Sequence, residues 1–273
     1  MVGCGPAGFY CAKQIIKNVP NVRVDIYDRN PHPFGLVRTG VAPDHPEMKK
    51  IEKDYSEVLN DKERCHFFGN VWIGTNNGIE LATLKELYSG IILAYGATSE
   101  RDLGLDKEHE LNKVLSSRNM ANWYNGSLDD DLDYKNQLDL EHVKDVAVVG
   151  NGNVAMDISR VLLKDPSLLA PYDAPSHVIE QLSKSSLRSI QMVGRRGVIQ
   201  TSFTIKEIRE VSKIKGIKLY ALKEEFLRSM NEESIRETHA DFSVHSRGTL
   251  RRTEFIRDSF TFLEDENQLK EAI

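Results

Sequence analysis

Gly3-Cys4-Gly5-Pro6-Ala7-Gly8 and Gly150-Asn151-Gly152-Asn153-Val154-Ala155 are two glycine-rich turns of one kind in a single chain. Each abuts apolar strand material and opens a helical pattern, the context that gives such a turn its meaning. In the first, Gly3 allows the tight turn, Gly5 lets backbone N–H groups approach a pyrophosphate, and Gly8 lets the helix pack closely on the sheet. Phosphates then sit at a helix N-terminus, where unpaired N–H groups and the helix dipole favour negative charge. The doubling predicts an α/β chain with two dinucleotide-binding, Rossmann-like domains, and two dinucleotides in one chain suggest electron transfer between them.

The two copies differ where the cofactor is chosen. After the first, Phe9 to Lys17 has helical spacing, and Val22 to Tyr27 alternates as a strand that ends at Asp28. A carboxylate there accepts hydrogen bonds from ribose hydroxyls and repels a 2′-phosphate, so this site should take an adenosine diphosphate moiety such as that of FAD. After the second, a helix is expected from Val154 to Leu163, and the strand Ile190 to Val193 ends in Gly194-Arg195-Arg196-Gly197. Guanidinium groups fork onto phosphate, so the second site reads as NADP. Taken alone, Arg195 and Arg196 would make an ordinary solvated basic turn; their place at a strand end argues for more. The connection Lys164 to Leu187 is long for a βαβ unit, and Pro166, Pro171 and Pro175 predict an inserted surface loop.

Composition sets wider bounds. The chain has 273 residues, 40% of them hydrophobic, and a formal charge of −5, enough for two domains and without the basic dominance of a nucleic-acid binder. No apolar run approaches the roughly 20 residues of a membrane span. Cys4, Cys11 and Cys65 have neither metal-ligand spacing nor that of a redox disulfide. Helices are expected at Glu47 to Leu59, Ser116 to Tyr124 and Lys206 to Lys213, strand material at Val71 to Ile73 and Ile91 to Ala97, and an exposed acidic loop at Leu128 to Glu141.

The run Pro33-Phe34-Gly35-Leu36-Val37-Arg38-Thr39-Gly40-Val41-Ala42-Pro43-Asp44-His45-Pro46-Glu47 resembles the adrenodoxin reductase family of ferredoxin–NADP reductases. So do Gly150 to Asp157, Val193 to Gly197, Trp123-Tyr124-Asn125-Gly126 and Phe203 to Glu210. The likeness thins beyond Glu210. It implies a mitochondrial or bacterial flavoenzyme in which electrons pass from NADPH through FAD to a ferredoxin or adrenodoxin-type 2Fe–2S protein. It places Ala7, Asp28, Leu36 and Ile73 around FAD beside Gly3, Gly5 and Gly8. Around NADP it places Asn151, Gly152, Asn153 and Val154 beside Gly150, with Arg195, Arg196 and Glu207. It also implies that His45 and Asp157 interact near the redox centre; otherwise His45 caps a turn and Asp157 is a helix-surface charge. Arg247, Arg251, Arg252 and Arg257 fall where the family carries ferredoxin-docking arginines, although a solvated helix face explains them equally.

The resemblance divides the chain into an FAD-binding part at 1–98 and an NADP-binding part at 99–273. Only Met1 and Val2 precede Gly3, and no FAD-completing motif follows the NADP part, so the chain is expected to be truncated at both ends, with an incomplete FAD domain. Two other readings are a non-catalytic NADP-binding remnant and a flavoprotein subunit of the kind that partners glutamate synthase. The latter calls for N-terminal iron–sulfur cysteines, which this sequence lacks.

Overall fold

The computed structural model describes residues 1–74, 77–97, 100–111, 113–127, 138–239 and 244–272. The chain packs as two compact units, Met1–Leu138 with Pro171–Pro175, and Asp139–Ala170 with Ser176–Ile273. The expected division between Thr98 and Ser99 and most of the expected acidic loop, 128–137, lie outside the described residues.

In the first unit, β1 (Val24–Tyr27) and β2 (Cys65–Phe68) pair in parallel, with Val24 opposite Cys65 and Tyr27 opposite Phe68. On the other side of β1, Val2 forms single parallel bridges to both Tyr27 and Leu93. The resulting order, β2, β1, Val2, Leu93, is that of a parallel nucleotide-binding sheet whose central member is one residue long. The run Ile91 to Ala97, expected as a strand, contributes one bridge among the described residues, at Leu93. The expected strand at Val71 to Ile73 is likewise a single bridge, Ile73 to Ile79.

The helix Pro6–Asn18 starts with Pro6 in its first turn, where no intrahelical N–H bond is lost. Its apolar face, Phe9 and Ala12, packs with Ile26, Phe34, Tyr55 and Cys65, and the Phe9 and Tyr55 rings stack at 4.9 Å. The helix Ile51–Asn60 supplies Tyr55 and Val58 to that core. The helix Ser117–Asn125 is capped by the Ser116 side chain, which accepts from Asn119 N at 3.0 Å, and ends in left-handed Gly126. Asn125 Nδ2 donates to Thr39 O at 2.9 Å, fastening this helix to the segment that carries the Pro33 to Glu47 motif.

In the second unit, β3 (Asp145–Val149) and β4 (Ser189–Val193) are parallel, with Asp145 opposite Ser189 and Val149 opposite Val193. The helix Asn153–Leu163 follows the glycine turn, and Ile205–Ser212 packs beside it. Met156, Phe203, Ile208, Val211, Phe226 and Ile256 form the core. A further parallel pair, β5 (Tyr220–Leu222) with β6 (Thr261–Leu263), lies in the stretch where the sequence signal thins. The connection Lys164 to Leu187 is not the loop that its prolines suggest, since it contains the helices Pro166–Leu169 and Ser176–Ser183. Pro166 occupies a first helical turn capped by Asp165, whose carboxylate accepts from Ser167 N at 2.9 Å, and Leu169, Val178 and Leu182 are buried.

Candidate functional site

Each unit carries one glycine turn at the end of parallel strand pairing. In the first, Gly3 has φ +103°, and a Cβ there would lie 2.6 Å from Tyr95 Cα. A Cβ on Gly8 would collide with the Gly3 carbonyl, whereas one on Gly5 would meet nothing within 4 Å. The turn is thus closed behind Gly3 and Gly8 and open at Gly5, the arrangement that lets a phosphate approach the backbone. Phe34 N donates to Cys4 O at 3.1 Å, so the start of the Pro33 to Glu47 motif lies along the turn. Asp28, at the tip of β1, accepts from Cys4 N at 2.8 Å and from Asn30 N at 2.9 Å. Its carboxylate therefore organises the turn. Ala7 and Leu36 are exposed and Ile73 half-buried.

Burial, with Asp28 nearby, pushes the Cys4 thiol up to about 12, and burial beside Asp61 and Asp25 pushes Cys65 up to about 11. Both are neutral structural thiols. His45 is buried in a tight turn, its N–H bonded to Ala42 O at 3.0 Å and its carbonyl accepting from Met48 N at 3.1 Å.

In the second unit, Gly150 N donates to Val193 O at 2.8 Å, and Gly152 caps the helix Asn153–Leu163. The Asn151 carbonyl accepts from Ser202 N at 2.9 Å, from Phe203 N at 3.1 Å and from Ser202 Oγ at 3.1 Å. Asn153 Oδ1 accepts from Thr204 N at 2.9 Å. The glycine turn and the segment 202–204 are therefore laced into one cradle. Val154 is exposed on the first turn of the helix. Arg195 and Arg196 stand exposed just beyond β4, and Arg196 comes within 3.8 Å of the Glu237 carboxylate, an exposed contact of little energetic weight.

Two buried arginines escape sequence reasoning. Arg160, with its side chain 2% exposed, donates through Nη2 to Asp157 at 2.9 Å and through Nη1 to Glu207 at 3.0 Å, with Glu210 3.6 Å away. Asp157 is thus an ion-pair partner and not a free surface charge. The spacing of three residues between Asp157 and Arg160 was the available signal, since such pairs meet on a helix. Arg252, expected in a docking surface, faces inward: Nη1 donates to Phe203 O at 3.1 Å, Nη2 to Ile199 O at 3.4 Å, and the guanidinium lies 5.7 Å from the Phe203 ring centroid. Burial lowers its pKa from the usual arginine value. Arg247, Arg251 and Arg257 are exposed, and Arg257 pairs with Asp258 at 2.8 Å.

These features define an α/β chain of Rossmann-like character, with a glycine turn leading into a helix in each unit. The NAD(P)-binding Rossmann-like domain family matches residues 1–52. The chain is similar to NADPH:adrenodoxin oxidoreductases named as mitochondrial. It is 44% identical over 218 residues to that of Arabidopsis thaliana, covering 80% of this chain and 44% of the relative. To the human protein it is 42% identical over 217 residues, covering 79% and 42%. The probable counterpart of Schizosaccharomyces pombe is 41% identical over 221 residues, covering 81% and 46%. Among solved structures, FprA, an oxidoreductase of Mycobacterium tuberculosis, matches with a TM-score of 0.81 at 32% identity, over 96% of this chain and 58% of that one. The same protein is known in complex with NADPH, with equal similarity. The chain spans less than half the length of these curated relatives.

Proposed function

We propose that this chain is the nucleotide-binding portion of an NADPH-dependent flavoprotein reductase that delivers electrons to a ferredoxin or adrenodoxin-type iron–sulfur protein. The observation that carries the reading is the pairing of turn and neighbour in each unit: an acid at the strand tip beside one glycine turn, two arginines at the strand end beside the other. The acid suits an unphosphorylated ribose, as in FAD, and the arginines suit the 2′-phosphate of NADP. The residues present fit both groups, since Gly5 leaves the first turn open to a phosphate and Gly152 begins a helix whose first N–H groups have no intrahelical acceptors.

In this reading residues 1–98 serve FAD through Gly3, Gly5, Ala7, Gly8, Asp28, Leu36 and Ile73. Residues 99–273 serve NADP through Gly150 to Val154, Arg195, Arg196 and Glu207. A flavin, when bound, converts the hydride pair of a nicotinamide into single electrons suited to an iron–sulfur cluster. His45 and Asp157 act near that transfer. The exposed Arg247, Arg251 and Arg257 offer positive charge to an acidic iron–sulfur partner, while Arg252 is taken up by backbone carbonyls. The relatives' names support a mitochondrial setting.

The test is the visible spectrum of the purified chain. Flavin absorbance that NADPH bleaches, followed by ferredoxin-dependent reduction of cytochrome c, is the expected result. A colourless protein that binds NADP+ would replace this reading with that of a nucleotide-binding remnant, and a protein binding neither nucleotide would end both.

A further inference from the structure

The Arg160 guanidinium is among the most deeply buried side chains of the chain, and it spans two helices. One arm reaches Asp157 on its own helix at 2.9 Å; the other reaches Glu207, in the first turn of the helix Ile205–Ser212, at 3.0 Å. That second helix begins at Thr204, whose side chain accepts from Glu207 N at 3.4 Å and whose own N–H is held by Asn153 in the glycine turn. Thr204-Ile205-Lys206-Glu207 has the spacing of a capping box, in which the glutamate turns back to the start of its helix. The Glu207 carboxylate also reaches a charge on the neighbouring helix.

An ion pair with so little exposure is a poor device for stability alone. The desolvation of both partners offsets most of the attraction, and apolar side chains of similar volume serve as well or better. Its place offers another use. Asp157 lies one turn along the helix that starts at the phosphate-receptive turn, and Glu207 lies one turn along the helix laced to it. Without the guanidinium, the negative charge of these two carboxylates would weigh against a ligand that carries several phosphate charges.

We propose that Arg160 is a positioning residue of the second nucleotide site, holding Asp157 and Glu207 in fixed geometry and cancelling charge that would otherwise oppose an anionic dinucleotide. This rests on the reading of that unit as an NADP site. The charged groups facing it within the unit include Asp157, Glu207 and Glu210, with Lys206 3.7 Å from Glu210.

The experiment is calorimetric titration of the purified chain with NADP+, which needs no turnover, alongside circular dichroism. Arg160→Met is expected to weaken binding at least tenfold, and Asp157→Asn added to it is expected to recover part of the loss by removing one of the negative charges that the guanidinium offset. Arg160→Lys, which keeps the charge but not the fork, should fall between wild type and Arg160→Met. Binding of Arg160→Met within twofold of wild type, or a double variant no tighter than the single one, overturns the proposal. Should Arg160→Met fail to fold, Arg160→Lys decides: a native spectrum with affinity reduced threefold or more supports the proposal, and unchanged affinity overturns it. Wild-type protein that does not bind NADP+ would instead overturn the reading of the site itself.

Discussion

The Cys4 backbone N–H donates to the Asp28 carboxylate at 2.8 Å, joining the variable position of the first glycine turn to the tip of β1. Asp28 also receives the Asn30 N–H. One side chain thus fixes the shape of the turn from the opposite end of the turn–helix–strand unit.

Asp28→Ala should therefore act twice. It leaves two N–H donors without their acceptor, a loss of about 1–3 kcal/mol in stability, and it removes the expected ribose partner. Asp28→Asn keeps one acceptor oxygen and should restore only part of the stability, since the two N–H groups bond different oxygens of the carboxylate. Flavin content per chain after reconstitution, set beside thermal unfolding of the two variants, checks the distinction. Equal flavin content in all three proteins would count against a ribose role.

Replacement of Arg195 and Arg196 together by Ala is expected to weaken NADPH binding by roughly 2–5 kcal/mol, through lost charge-assisted hydrogen bonds to phosphate, with little change for NADH. Both side chains are exposed, so the fold should be unaffected. Titration of each cofactor gives the answer, and matching losses for the two would refute recognition of the 2′-phosphate.

Arg252→Met is expected to cost about 2–4 kcal/mol in chemical denaturation, because Phe203 O and Ile199 O lose a buried donor. Arg251→Ala, on exposed surface one residue earlier, should stay within about 0.5 kcal/mol. The contrast separates the inward arginine from its outward neighbours. Arg247→Glu with Arg251→Glu then tests docking: a slower, less salt-sensitive reduction of an acidic ferredoxin is expected, with NADP+ affinity unchanged.

The Cys4 and Cys65 thiols carry folded-state pKa values of about 12 and about 11, raised from 9.0. For an acid raised on folding, both states are protonated below pH 9 and the thiols add no pH dependence there. Between pH 9 and about pH 11 to 12 the unfolded chain releases protons that the folded chain keeps, so stability falls as pH rises, by up to about 1.4 kcal/mol per pH unit for each thiol. Alkylation at pH 8 should accordingly label Cys11, the least buried of the three, and spare the other two while the protein is native. Mass mapping of the modified peptides measures it.

His45→Gln is expected to leave the binding of both nucleotides intact and to slow electron transfer to ferredoxin. Stopped-flow reduction by NADPH resolves the two effects, and an unaltered rate would leave His45 as a residue of its turn, where its backbone already makes two hydrogen bonds.

What the sequence discloses and what it hides divide along a physical line. The glycine turns, their helices and the parallel strands that flank them are local patterns, read from spacing, and they stand where spacing puts them. Pro166 was read as a breaker, although the same ring is favoured at a first helical position once Asp165 caps it. Arg160 and Arg252 were beyond reach for a different reason. A charged residue on an amphipathic helix is ordinarily solvated, and these two are internal through partners that include ones 47 and 49 residues away in the chain. The helix Ser117–Asn125 buries Met120, Trp123 and Tyr124 in the first compact unit, and its long-range bond from Asn125 to Thr39 is one that no periodicity announces.

The Asn151 carbonyl, shared among three donors from Ser202 and Phe203, separates scaffold from selectivity. On the proposed reading, the backbone that would receive a pyrophosphate is held by its own main chain, while Arg195 and Arg196, which would judge the adenosine ribose, stand exposed beyond β4. A change of cofactor preference can therefore be written into Arg195 and Arg196 alone, leaving the cradle as it is. Redesign, whether in the laboratory or by descent, needs to touch only the part of the site that folding does not use.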